Sequence, residues 1–310
     1  MTVTKQINVE DARTVKPSNG ELIGSGLPEH ASCFHVGKRG SLSLGASKIV
    51  VPSRTRAVTV YGGKLVMDGQ PSGARLPNLA GWYSSYDSLG MLCQIDMCWE
   101  ATIRNYVQKK RTNDYALYLG NWEVSAATGG KDDGIARDVL VENCDFAKGP
   151  RDEAAVRCMG MHGKFRLCTF GNPDNTQNKE CFQPRHEHIV VENCTMLHSV
   201  SCGNLAPSVD GGKHARWAEA NPTDLHFSGG AQFGYMKVAG NCRVAVTGLT
   251  VAGNDPRGVG PTEHCFWTET HTIDGKVLKP IVVLAGVSVV GRWSKIGSGN
   301  VLIGPGCYLN

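Results

Sequence analysis

One short strand-like segment recurs in the middle of the chain at nearly constant spacing. It occurs three times: VLVENCDF at 139–146, FRLCTF at 165–170 and IVVENCTM at 189–196. Their cysteines, Cys144, Cys168 and Cys194, align with one another at nearly equal intervals. A fixed period of about 20–50 residues is typical of solenoids, in which each repeat buries its core against its neighbours. The spacing therefore predicts stacked parallel strands with about 25 residues in each coil.

A second series of strand-like segments runs beside the first. It has two copies, AVRCMG at 155–160 and ECFQPR at 180–185. Aligning Cys158 with Cys181, which are separated by a similar interval, predicts a second stack of strands. We expect the two stacks to be joined by tight bends, one formed by residues 161–163 and the next centred on His186. Each coil would then carry at least two strands.

The apolar alternation within VLVENCDF is imperfect near Glu142 and Asn143, which indicates that a strand ends and the chain bends there. We expect Asn143 and Asn193 to stack at this bend as an asparagine ladder that satisfies backbone groups left unpaired by the turn. The repeated cysteines are expected to stack inside, because a free thiol behaves as a small hydrophobe. No CxxC pair occurs, so no metal site is predicted.

Strand-like patterns continue on both sides of this region. They lie at 57–69, 101–107, 244–251, 281–290 and 300–309. Stretches rich in Gly, Pro, Trp and Asp predict loops that leave the solenoid and carry functional surfaces. These loops are 71–90, 121–136 and 203–222. The predicted fold is all-β: a single-stranded, right-handed parallel β-helix over 56–310, with a capping or attachment segment at 1–55.

The ENCxF-type strands and the coil length resemble the pectate-lyase-like right-handed parallel β-helix superfamily over about residues 55–310. Its members include pectate, alginate and chondroitin lyases, polygalacturonases and phage tailspikes. The resemblance implies an architecture, whereas function depends on the site carried by that architecture.

Polygalacturonases resemble one another in four motifs, and this chain carries parts of two. Asp132 and Asp133 match the paired carboxylates, which can act as acid and base in glycoside hydrolysis, although KDDG is also a common turn sequence. His162 and the following glycine match a Gly-His-Gly strand, except that Met161 replaces the first glycine. The Asn-x-Asp and Arg-x-Lys motifs are not complete.

Lyases of this fold resemble one another in using a basic side chain to remove the proton next to a carboxylate, often with calcium. Arg185, His186 and His188 predict such a basic cluster, together with Lys164, Arg166 and His162 on the neighbouring coil. Solvated corner residues are the alternative interpretation. The predicted catalytic residues are therefore Asp132, Asp133, His162, Arg185 and His186. No cofactor is predicted, and calcium would be required only for a lyase.

Aromatic residues in the irregular segments predict glycan binding, because aromatic faces stack on sugar rings. The predicted glycan-binding residues are Trp82, Tyr83, Tyr86, Trp122, Trp217 and Trp267. An equally good interpretation is that they cover the core or pack a subunit interface. Asp210 and His214 are further polar candidates in the segment 203–222.

These features predict a virion structural protein, a capsid-decorating protein or short tailspike, that contacts glycans or other virion proteins as a homotrimer. The alternative is a polysaccharide lyase or glycoside hydrolase that acts on an acidic polysaccharide. A net charge of +4 with scattered basic residues argues against a nucleic-acid partner. No apolar stretch reaches the roughly 18 residues of a membrane span.

The expected location is the virion, after synthesis in the host cytoplasm. The start of the sequence has no signal-peptide pattern, and the twelve cysteines lie mostly in apolar strand patterns typical of free thiols. A secreted or periplasmic protein whose signal has been removed is the alternative.

Overall fold

A computed structural model shows an all-β chain with three long parallel sheets. The structure describes residues 1–69, 84–86, 90–147, 154–171, 180–185, 188–252, 265–290 and 295–309. Within these residues each sheet has eleven strands, and successive strands enter sheet A, sheet B and sheet C in a constant cyclic order. Three consecutive strands, one from each sheet, are called a rung here. The all-β class is confirmed.

The strand bounds are as follows. Sheet A contains β1 (Thr2–Val3), β4 (Glu21–Gly24), β7 (Lys48–Val50), β10 (Ser84–Tyr86), β13 (Tyr106–Gln108), β16 (Asp145–Phe146), β19 (Thr169–Phe170), β22 (Thr195–Met196), β25 (Ala231–Phe233), β28 (Thr250–Ala252) and β33 (Ser288–Val290). Sheet B contains β2 (Ile7–Val9), β5 (Ser32–Val36), β8 (Arg56–Tyr61), β11 (Met91–Met97), β14 (Leu117–Leu119), β17 (Val156–Cys158), β20 (Phe182–Pro184), β23 (Val200–Gly203), β26 (Met236–Ala239), β29 (Phe266–Glu269) and β34 (Lys295–Gly297). Sheet C contains β3 (Ala12–Val15), β6 (Ser41–Leu44), β9 (Lys64–Asp68), β12 (Glu100–Arg104), β15 (Ala136–Glu142), β18 (Met161–Arg166), β21 (His188–Glu192), β24 (Thr223–Ser228), β27 (Cys242–Thr247), β32 (Ile281–Ala285) and β35 (Asn300–Ile303).

Other elements leave the sheets at the corner between sheets B and C. They are the helices α1 (Glu123–Ala127), α2 (Pro207–Asp210) and α3 (Lys213–Ala220) and the antiparallel hairpin of β30 (His271–Ile273) and β31 (Lys276–Leu278). Two of the predicted loops, 121–136 and 203–222, thus contain the helices. No helix in the described residues is long and apolar enough to cross a membrane.

The three sheets share one apolar core. Phe165 of sheet C, Phe170 of sheet A and Phe182 of sheet B meet at their inner faces, and all three side chains are fully buried. The rings of Phe170 and Phe182 are stacked with centroids 4.5 Å apart, and Phe165 contacts both of them edge-on. Burying a side chain of this size stabilises the fold by about 1.5–3 kcal/mol. Inward side chains from all three sheets therefore fill one shared interior.

The bend between sheets C and A is formed by residues with left-handed backbone conformations. Asn105, Asn143, Leu167 and Asn193 have φ angles of 65°, 53°, 54° and 50°. Nδ2 of Asn143 donates a 2.8 Å hydrogen bond to Oδ1 of Asn105, whose own Nδ2 donates one of 2.9 Å to Asp68. The prediction that Asn143 and Asn193 stack on each other is wrong, because Leu167 occupies the rung between them.

The first stack of strands has the predicted register. β16 pairs with β19 and β19 with β22 so that Cys144, Cys168 and Cys194 follow one another from rung to rung, all of them buried. The interval between these cysteines is therefore the rung length in this region.

The second stack has a different register from the predicted one. Cys158 lies beside Pro184 rather than Cys181, because Val156 and Phe182 are the paired inward side chains. Cys181 lies just before β20. Residues 161–163 are also not a bend, since β18 already begins at Met161.

The N-terminal segment contributes to the same sheets. Residues 2–50 supply β1 to β7, which pair in parallel with the strands that follow them. The segment proposed for capping or attachment thus provides complete rungs.

Candidate functional site

Sheet B carries a row of polar and aromatic side chains along its outer face. Each member lies inside its strand between two buried neighbours. This central row consists of His35, Thr59, Gln94, Tyr118, Arg157, Gln183, Ser201, Lys237 and Trp267. Period-two alternation of the strands explains the pattern, because the flanking side chains point into the core. Parallel neighbours are separated by about 4.8 Å, so the row presents one such group at each step.

The middle of the central row is buried. Gln183 and Ser201 are outward-facing yet only 6% and 2% exposed. Polar residues around them are also buried, including His198, Asn204 and His214. Buried polar side chains are uncommon unless they are hydrogen-bonded, so their concentration at one place beside sheet B marks a candidate site.

Two arginines lie side by side in this buried region. Arg157 belongs to the central row on β17, and Arg185 follows β20 on the next rung and is 8% exposed. Burial lowers the pKa of Arg185, and the neighbouring positive charge of Arg157 lowers it further, whereas Glu180 opposes the shift. The Arg157 guanidinium lies over the ring of Tyr115, 5.4 Å from its centroid, and donates to the Tyr115 hydroxyl.

His214 enters the same region from helix α3. The backbone N–H of Leu205 donates a 2.9 Å hydrogen bond to Nδ1 of His214, so the neutral ring carries its proton on Nε2. Burial, together with Arg185 and Arg157, lowers the pKa of His214 to about 3. His214 is therefore a neutral hydrogen-bond donor at physiological pH. Trp122 and Trp217 pack on its ring, with centroids 5.5 and 5.6 Å away.

A charged group that includes two members of the row begins two rungs farther on. Nζ of Lys237 forms a 2.6 Å ion pair with Oε2 of Glu269 and lies 4.6 Å from the ring centroid of Trp267. His271 links this group to Asn204, since Nε2 lies 3.1 Å from Glu269 and Nδ1 lies 2.7 Å from the Asn204 amide. Burial lowers the pKa of His271 even though Glu269 acts to raise it.

The predicted carboxylates are both held by cations. Asp132 forms a 2.7 Å ion pair with Lys38 and accepts a 2.8 Å hydrogen bond from Tyr61, and these contacts lower its pKa. Asp133 accepts two hydrogen bonds from Arg137, one of them 3.1 Å long, which lower its pKa in the same way. A general acid in glycoside hydrolysis needs a raised pKa, so neither carboxyl has the electrostatic setting of that acid.

The predicted basic residues are divided between two sheets. His162 lies on β18 of sheet C, with its ring 5.5 Å from that of His188 on the next rung. The pKa of His162 is lowered by burial and by the neighbouring His188 and Arg137. Arg185 instead follows β20 of sheet B, and its carbonyl accepts a 3.0 Å hydrogen bond from Thr223 at the start of β24. His186 lies outside the described residues.

Three of the predicted aromatic residues border the buried region: Trp122, Trp217 and Trp267. Trp82 and Tyr83 lie outside the described residues, and Tyr86 is described only as part of β10. The sequence interpretation missed Tyr118, Arg157, Gln183 and Lys237, which are central to the row. Correct alignment of β17 with β20 would have paired Arg157 with Gln183 and pointed to the row.

Among the residues that the structure describes, no group of three or more His, Cys, Asp or Glu side chains is placed to hold a metal ion. The chain matches no protein-family model, no curated protein and no solved structure. The functional argument therefore depends on the geometry of the site.

Proposed function

We propose that this chain is a right-handed parallel β-helix of the pectate-lyase-like type that binds a polysaccharide strand along the central row of sheet B. The cyclic order of the strands and the regular interval between Cys144, Cys168 and Cys194 support the architecture. In such a solenoid the central row is a continuous strip parallel to the long axis.

The observation that carries the proposed function is the row itself. Its members recur about every 4.8 Å, which is comparable with the length of one sugar unit in an extended polysaccharide. Tyr118 and Trp267 provide aromatic faces for stacking on sugar rings, and Gln94 and Gln183 provide amides for hydroxyl groups. An extended ligand would thus meet a matching group at each step.

The charge of the row favours an acidic polysaccharide. Arg157 and Lys237 lie in it, and Arg185 adjoins it, so cations are concentrated on the segment from β17 to β26. Hydrogen bonds from such cations to carboxylate or sulfate groups are about twice as strong as neutral ones. We therefore propose an acidic glycan as the ligand. Location on a virion and a trimeric state remain predictions.

Binding without hydrolysis is the function we favour. Both predicted carboxyls, Asp132 and Asp133, have lowered pKa values and cation partners, so neither is suited to act as the general acid. The test is titration of the purified full chain with polygalacturonate, alginate, dextran sulfate and neutral dextran. The same mixtures are assayed for new reducing ends and for ultraviolet absorbance of unsaturated uronates. Saturable binding to acidic polymers, with no new chain ends, is the expected result.

A matched pair of variants tests whether the row is the binding surface. Lys237→Ala removes a cation from the central row, and Lys64→Ala removes an ion-paired lysine from sheet C. We expect Lys237→Ala to weaken binding about tenfold, corresponding to about 1.4 kcal/mol, and Lys64→Ala to leave it unchanged. Equal effects of the two variants, or steady release of chain ends by the wild type, would contradict the proposal.

A further inference from the structure

The buried region beside the central row contains polar atoms that have no partner in the protein. Nε of Arg185, Nε2 of His214 and Oε1 of Gln183 are fully buried, and none forms a hydrogen bond within the described part of the chain. Each such atom is unfavourable when buried, because its hydration is lost without replacement. Three of them around one place indicate groups that a ligand satisfies.

The two donors have a fixed chemical character. The Leu205 N–H occupies Nδ1 of His214, which leaves Nε2–H as the free donor of the ring. Arg185 remains a cation near neutral pH, because guanidinium groups retain their proton in proteins. The carbonyl of Arg185 accepts a 3.0 Å hydrogen bond from Thr223, three residues beyond the end of helix α3, so the segment that carries His214 contacts Arg185. The charge of Arg185 also lowers the pKa of His214. Together they present N–H groups and positive charge to an acceptor with negative charge.

Gln183 adds an acceptor beside these donors. Its Nε2 donates a 3.3 Å hydrogen bond to Glu180, which leaves Oε1 directed to other partners. A sugar ring that bears an anionic group also bears hydroxyl groups, and one of them can donate to this oxygen. Since Gln183 belongs to the central row, the subsite is continuous with the surface proposed for the glycan.

We propose that Arg185, His214 and Gln183 form a subsite that binds one acidic sugar unit, with its carboxylate or sulfate on Arg185 and His214 and a hydroxyl on Gln183. This inference rests on the proposed function, since it assigns the ligand class at one position of the same surface. Arg157, on the adjacent rung, contributes a second positive charge. The subsite explains why two arginines are placed side by side with one of them buried.

Arg185→Met tests the subsite, because methionine keeps the apolar length of the side chain and removes the charge. The expected result is at least tenfold weaker binding of an acidic oligosaccharide with unchanged binding of a neutral one. The melting temperature without ligand should be equal to or higher than that of the wild type, because the variant removes a buried charge. A purely structural arginine would instead give a lower melting temperature and unchanged affinity.

Arg243→Gln is the matched control, since Arg243 is exposed on sheet C and its loss changes the net charge equally. If Arg185→Met fails to fold, Arg185→Lys replaces it, because lysine keeps the charge but lacks the Nε–H and the planar fork. A reduced affinity of Arg185→Lys for the acidic oligosaccharide is then expected, and an unchanged one would overturn the inference.

Two further comparisons, one between ligands and one between variants, distinguish the possible outcomes. Oligogalacturonate and a sulfated oligosaccharide show whether the subsite takes carboxylate or sulfate. If Lys237→Ala loses affinity and Arg185→Met does not, the subsite is wrong and the proposed function stands.

If the wild type binds no polysaccharide, the proposed function fails, and thermal shifts with monomeric galacturonate and inorganic sulfate judge the subsite alone. A stabilising shift in the wild type and in Arg243→Gln that Arg185→Met loses would support it. No shift in the wild type would overturn it.

Discussion

Asn143 donates a 2.8 Å hydrogen bond from Nδ2 to Oδ1 of Asn105 on the preceding rung. Both residues have positive φ angles, so the side chains that form this ladder also occupy the bend that turns the chain from sheet C into sheet A. Asparagine is suited to both tasks, because it tolerates the left-handed region better than other residues with a Cβ. The ladder is interrupted at Leu167, which has the same backbone conformation and is 47% exposed.

Leu167→Asn should therefore stabilise the protein. The substitution relieves the left-handed strain of leucine and places an amide between Asn143 and Asn193, while little apolar burial is lost. We expect the free energy of unfolding to rise by about 0.5–1 kcal/mol, measured by urea denaturation. Asn143→Ala is the converse variant and should lower it by about 1–3 kcal/mol, since it loses the amide contact and retains the bend. A loss of stability in Leu167→Asn would contradict this account of the bend.

His214 should make stability depend on pH. Its pKa is lowered from 6.5 to about 3 in the folded protein, so between these values the unfolded chain binds more protons. The contribution of neutral His214 to the free energy of unfolding is therefore fully present above pH 6.5, and it is lost as the pH decreases toward 3. The slope due to this residue approaches about 1.4 kcal/mol per pH unit.

The measurement is urea denaturation of the wild type and His214→Gln at several pH values between 6.5 and 4.5. The variant should lose less stability over this range than the wild type, and part of the dependence should remain because His271 also has a lowered pKa. His226→Gln, at an exposed position on sheet C, is the control and should follow the wild type. Parallel curves for the wild type and His214→Gln would contradict the assignment.

The repeat at Cys144, Cys168 and Cys194 predicted the all-β class and one strand register, because side chains that stack rung on rung recur at the rung length. The second register could not be obtained from matching cysteines. Cys158 and Pro184 are equivalent because each follows the inward side chains Val156 and Phe182 along its strand. Matching the two cysteines gave the wrong alignment of β17 with β20. The correct alignment matches the buried side chains of the two strands.

The candidate site was only partly predictable. The sequence pointed to Arg185 as a basic residue at a strand end, but its burial depends on segments that pack against sheet B from distant parts of the chain. His214 is an example, since helix α3 brings it to Arg185 from the next rung. Asp132 and Asp133 matched a family motif, yet Lys38, 94 residues away, pairs with Asp132, and Arg137 pairs with Asp133. Long-range contacts such as those of Asp132 and His214 leave no local pattern in a sequence.

The cysteines should differ sharply in reactivity. Burial raises the pKa of Cys33 and Cys98 to about 12, and eleven of the twelve cysteines are buried while Cys307 is partly exposed. A thiol reacts as its thiolate, so the buried thiols should be inert in the native protein. Mass spectrometry after brief alkylation at mild alkaline pH should find a single label, at Cys307, and full labelling after unfolding. Rapid native labelling at Cys144 or Cys168 would contradict the described core.

The most direct test of the binding surface is hydroxyl-radical footprinting of the full chain with and without a saturating acidic polysaccharide. Protection of Tyr118 and Trp267, on the central row, is predicted. Trp99, which is 56% exposed beside Arg137 of sheet C, should be oxidised equally in both samples. Protection of Trp99 with no change at Tyr118 and Trp267 would contradict binding along sheet B.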